Sequence, residues 1–147
     1  MSSPLPMPER WRRWAVFIGA LSLSFLVSLG AQAGGDDGDT LVDLDLINGD
    51  GQSLRCVTVL AHFVSLPDLT IEPGASLRVS YFRGADDGTL YILRDDGRRM
   101  MVENLLCGRT DDWDATRGEV PLLDVRASAS PHMVMTCQVA GRLQCTL

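Results

Sequence analysis

Residues 76–105 read SLRVSYFRGADDGTLYILRDDGRRMMVENL, and this stretch decides the fold. Leu77, Val79 and Tyr81 alternate with Ser76, Arg78 and Ser80, the period-two pattern of a strand with one buried face. Ala85-Asp86-Asp87-Gly88 follows, then an extended run over residues 89–93, then Asp95-Asp96-Gly97, then a second run over residues 99–105. Asp and Gly accept turn conformations at little steric cost. Three strands separated by two Asp-Asp-Gly turns predict an antiparallel meander.

Upstream, Val42, Leu44 and Leu46 alternate with Asp43 and Asp45, so residues 41–47 read as a half-buried strand. Asn48-Gly49-Asp50-Gly51 is hairpin-turn chemistry, and residues 54–63 resume as a strand that is apolar on both faces. The two strands are expected to pair as a hairpin, with the second lying mid-sheet. Pro67 interrupts, residues 69–71 form a short extended piece, and Pro73-Gly74 turns it. Downstream, residues 107–120 are polar, with Asp111, Asp112 and Asp114 around Trp113, and read as a long loop with room for one helical turn. Residues 122–125 read as a short strand. Met133, Met135, Cys137 and Val139 then share one face, and Leu143, Cys145 and Leu147 share another after Gly141, which predicts a closing hairpin. The expected fold is all-β: one small antiparallel β-sandwich or barrel over residues 41–147.

The N-terminus points to export. Arg10, Arg12 and Arg13 precede an apolar run over residues 14–29, and Ala31-Gln32-Ala33 supplies a small-x-small cleavage site. The expectation is a signal peptide with a signal helix at residues 1–33, and a flexible Gly/Asp leader at 34–40. An uncleaved anchor is the competing reading, and only then is a membrane a partner. The run is shorter than the roughly 20 residues that span a bilayer. All 13 basic residues are arginine, a composition that GC-rich bacterial genomes give, so the expected address is the bacterial periplasm or medium. The whole chain carries a formal charge of −6, and losing the arginines of the signal makes the remainder more acidic. Such a surface repels phosphate backbones, so nucleic acid is excluded as an expected partner.

Four cysteines, Cys56, Cys107, Cys137 and Cys145, fall after the signal. Their wide, unequal spacings do not match zinc-ligand spacing, and an even count in an exported domain reads as two disulfides. In a hairpin centred on Gly141, Val139 meets Leu143 and Cys137 meets Cys145, leaving Cys56 to Cys107. A two-residue loop at Ala140-Gly141 instead slips the register by one and opens the other pairings.

Several constellations hold donors that could carry chemistry. Pro131-His132-Met133-Val134-Met135 places an imidazole and two thioethers close together, with Met100, Met101 and His62 as further donors. Thioethers suit Cu(I). Over these few residues the spacing resembles the ligand pattern of periplasmic copper chaperones. On a strand, however, Met133 and Met135 face one way and His132 the other. Asp43, Asp45, Asn48 and Asp50 are rich in oxygen ligands. They fail the calcium-loop pattern, with Asn48 where Gly is needed and Leu54 where Glu is needed. No nucleophile motif accompanies either histidine. Trp113 with Arg117 forms the most exposed-looking patch, and its alternative role is to cap the core.

The expected function is therefore binding: an exported, non-catalytic domain that engages another envelope or secreted protein as accessory subunit, scaffold or inhibitor, through Trp113 and Arg117, with no cofactor. The alternative is a periplasmic copper-binding protein using His132, Met133 and Met135. A small secreted hydrolase is third.

Overall fold

The structure, a computed structural model, describes residues 38–147. The expected signal segment and most of the leader lie outside the described residues. Among the described residues ten strands form in chain order: β1 (Thr40–Asn48), β2 (Leu54–Leu60), β3 (Val64–Ser65), β4 (Leu69–Ile71), β5 (Ser76–Arg83), β6 (Leu90–Leu93), β7 (Arg99–Arg109), β8 (Gly118–Glu119), β9 (His132–Ala140) and β10 (Arg142–Thr146). Two short α-helices interrupt them, α1 (Trp113–Thr116) and α2 (Leu122–Ala127). The strands join in one sheet ordered β10-β9-β1-β5-β6-β7-β2-β3, with β4 on β2 and β8 on β7. It curls into a half-barrel.

The meander β5-β6-β7 forms as its turn chemistry requires. The register Val139 to Leu143 and Cys137 to Cys145 also forms, around Gly141 at φ 80°, a value open to glycine without steric cost. Cys137 is bonded to Cys145, and Cys56 to Cys107. The interior is lined by the alternating inward residues, among them Val42, Leu44, Leu46, Leu54, Leu105 and Met135, each fully buried. Complete burial of one such side chain is worth about 1.5–3 kcal/mol. The sheet bends back until β8 touches β10, where a Cβ on Gly118 would lie 2.6 Å from the Leu143 carbonyl oxygen. Only glycine permits that approach.

Three expectations are corrected. First, β1 and β2 do not pair. β1 lies between β5 and β9, and β2 lies between β7 and β3 with β4. Asn48 is 1% exposed, and its amide nitrogen donates to the carbonyls of Gln52 and Ile71, both at 2.8 Å. The Asn-Gly-Asp-Gly segment therefore crosses the fold and ties it together; it does not reverse the chain in solvent. Second, the sheet is not wholly antiparallel: β1 and β9 run parallel, with Leu44 opposite Met133. Third, residues 122–127 are helical. Leu122 and Val125 are buried one helical turn apart, while Leu123 between them is 74% exposed, so the three-residue spacing prevails over a strand's alternation. The ordered sheet also takes in the end of the expected leader. Thr40 opens β1, and Asp39 accepts from Arg99 at 2.7 Å with its side chain 6% exposed.

Candidate functional site

Alternation along β1 sends Asp43 and Asp45 to the outer face, where their neighbours are Ser80 and Arg78 of β5 and His132 of β9. Arg78 grips Asp45 with two donors, at 2.7 and 2.8 Å, and His132 Nε2 lies 2.9 Å from the same carboxylate. The Arg78 hydrogen bond, aided by His132, holds the Asp45 carboxyl well below the usual carboxylate range. A carboxylate-held imidazole is half of a hydrolytic device. Among the described residues, however, no hydroxyl bonds to that ring: Ser80 Oγ donates to Asp43, and Ser130 Oγ donates to the His132 carbonyl. The face carries an ion network of Asp43, Asp45, Arg78 and His132.

Met133 and Met135 point the other way, 8% and 0% exposed, into the core. His62 sits in the turn between β2 and β3, and Met101 is exposed on β7. The structure thus separates the copper donors by strand geometry. It also splits the oxygen-rich group. Asp43 and Asp45 face out, whereas Asp50 is 8% exposed and fully engaged. Its Oδ1 accepts from Gln52 N at 3.1 Å and Arg109 Nε at 3.0 Å; its Oδ2 accepts from Val139 N at 2.9 Å and Arg109 Nη2 at 3.1 Å. The Arg109 pair pulls the Asp50 carboxyl down. Four protein donors thus converge on the two oxygens of this one carboxylate.

Trp113 opens α1 and is half-buried, with the Arg55 guanidinium 4.7 Å from its ring centroid. Arg55 in turn pairs with Asp68 at 2.6 Å. Arg117 is exposed and reaches Asp114 at 3.7 Å. One turn of helix holds these two residues on the same loop, and the Trp113 ring fastens that loop to β2. Beside it lies an open cleft of about 450 Å³, bordered by Gln52, Glu72 and Asp111.

The most exposed large hydrophobic side chain among the described residues is elsewhere: Phe63, at 90%. It sits in the three-residue connection between β2 and β3, where Leu60 faces Val64. His62 has φ 63° and Phe63 φ 60°, two consecutive non-glycine residues in the left-handed region. Such a pair occupies the centre of a type I′ turn, where Asn-Gly is the favoured sequence. Each left-handed non-glycine residue costs about 1–2 kcal/mol. The β2–β7 register also shifts between Val59 and Leu60, just before the turn. Val64, 46% exposed, follows the ring and extends this apolar corner, whereas Met101, 45% exposed, points to the opposite face of β7 from Val102 and Leu60.

The chain matches no protein-family model and no curated protein. The site must stand on its geometry. Sequence reading missed Phe63 because residues 54–63 are apolar on both faces, so nothing in the pattern marked the last residue as uncovered. The one clue in the sequence is His62, a polar residue set into the end of that run.

Proposed function

We propose that this is a non-catalytic binding domain that engages another protein through the Phe63 turn. One observation carries the reading. A large aromatic is held almost fully in solvent by two residues in an unfavourable backbone conformation, with the exposed Val64 next to it in the chain. Strain of this kind is concentrated at functional sites, and an exposed aromatic is the side chain best suited to anchor an interface. The two disulfides are compatible with an oxidising compartment, and among the described residues no helix is long and apolar enough to cross a membrane. The disulfides accord with a partner that is itself an envelope or secreted protein.

A second reading places the contact at Trp113 and Arg117. It is favoured by the exposure of Arg117 and by the open cleft beside that loop. Affinity capture from the native envelope separates the two. Phe63→Ala is expected to abolish capture of a partner that wild type retains, with an unchanged unfolding midpoint, while Leu123→Ala on the exposed face of α2 leaves capture intact. Capture that survives Phe63→Ala and fails in Arg117→Ala transfers the site to the α1 loop.

A further inference from the structure

The Phe63 corner has a complementary feature on the same molecule. Leu66, Pro67 and Leu69, which follow β3, face Val79 and Tyr81 of β5 and Ile92 of β6 across an apolar cavity of about 270 Å³. Its polar floor is internally satisfied, with Tyr81 Oη 3.0 Å from Thr58 Oγ1. The cavity is therefore an open apolar seat that asks for no hydrogen bond from its occupant. Phe63 does not fill it within its own chain: the turn holds its ring in solvent. Yet Leu66 is only three residues further on, about 10 Å of extended chain.

We infer that the occupant is a second copy of this chain: two molecules pair about a two-fold axis, each placing Phe63 in the Leu66–Ile92 cavity of the other. This rests on the reading of the Phe63 turn as a protein contact. A knob and a seat on one corner are self-complementary, which is the requirement for a closed two-fold interface. The area is sufficient for a weak dimer. Two aromatic rings bury about 400 Å² and the walls that receive them a similar amount, and with Val64 the total comes to about 900 Å², in the range below about 1,200 Å² where weak, transient contacts lie. No charge opposes the contact in the cavity, whose lining is apolar apart from Thr58, Ser80 and the Tyr81 hydroxyl.

The test is sedimentation velocity on the protein purified from its native host, from roughly 1 μM to roughly 300 μM, a range that brackets micromolar dissociation constants. Wild type is expected to pass from monomer to dimer across it. Phe63→Ser removes the knob without touching the core, and Pro67→Arg puts a charge on the exposed rim of the seat. Each is expected to weaken association at least about 30-fold, as the loss of an interface hot spot does. A wild type that stays monomeric throughout, or a dimer that survives both substitutions, overturns the self-pairing. The capture experiment with Phe63→Ala reads the broader proposal separately, because a different protein lost on that substitution keeps the turn as a contact while removing the second copy as its partner.

Discussion

Replacing Asn48 with alanine is expected to be among the most damaging single changes in this domain. The side chain is 1% exposed and makes three hydrogen bonds at 2.8 Å: it donates to the carbonyls of Gln52 and Ile71 and accepts from the Asp50 amide. Gln52 is exposed, so water can replace the bond to its carbonyl. The Ile71 carbonyl and the Asp50 amide are buried and have no such recourse. An unsatisfied buried group costs about 1–3 kcal/mol, so two of them give about 4 kcal/mol. That is a large part of the roughly 5–15 kcal/mol that holds a domain of this size. With a urea slope near 1.5 kcal/mol per molar, the midpoint should fall by about 2.7 M. Tryptophan fluorescence in a urea titration reads it, with Gln138→Ala on the exposed face of β9 as the control. A fall of less than about 0.5 M would show that the segment joining β1 to β2 does not lock the fold, and would refute the argument made for it.

Other outcomes follow from the same geometry. Arg109 depresses the Asp50 carboxyl, so its contribution is complete above the unfolded carboxylate range near 4 and is lost as pH falls through the lower folded value; urea midpoints should hold from pH 7 to about 5 and drop below about 4, and Asp50→Asn should flatten that drop. Cys56 and Cys107 are separated by 51 positions and Cys137 and Cys145 by 8, so chain entropy assigns about 4 kcal/mol to the first bridge and about 2.5 kcal/mol to the second; the paired Cys→Ala variant lacking the first bridge should melt at the lower temperature. Trp113→Ala should cost about 2–3 kcal/mol, less than a fully buried aromatic, and a double-mutant cycle with Arg55→Ala should return a coupling of about 0.5–1 kcal/mol. Substituting His62→Asn together with Phe63→Gly gives the turn its favoured residues, so thermal unfolding should show unchanged or higher stability while partner contact disappears.

The meander and the closing hairpin were legible because local rules decide them. Asp-Asp-Gly turns and the alternation of Leu77, Val79 and Tyr81 predict β5 to β7, and Gly141 marks the closing turn but leaves two registers of β9 on β10 open; the structure places Cys137 opposite Cys145. The strand order was not legible, because it depends on long-range bonds. Asn48-Gly49 has the chemistry of a hairpin, but the amide of Asn48 finds the Ile71 carbonyl and the Gly49 amide finds the Cys137 carbonyl, so the chain crosses over instead of folding back. Nothing local in residues 41–47 reveals that β9 will lie parallel beside them. The candidate site was hidden for a related reason. Phe63 belongs to an apolar run, and only the curl of the sheet shows that β2 ends at Leu60 and leaves the ring uncovered. Trp113 drew attention through its acidic neighbours, whereas in three dimensions Arg55 covers part of its ring.

The claim that the Phe63 turn is where this protein meets another is tested most directly by site-specific photo-cross-linking in the native host. Benzoylphenylalanine at position 63 keeps the aromatic anchor, and the same residue at position 123 serves as a similarly exposed control on α2. One discrete adduct is expected from position 63 and none from position 123, with a mass of twice the chain if the second copy is the partner. No adduct from position 63, or the same adducts from both positions, would contradict it.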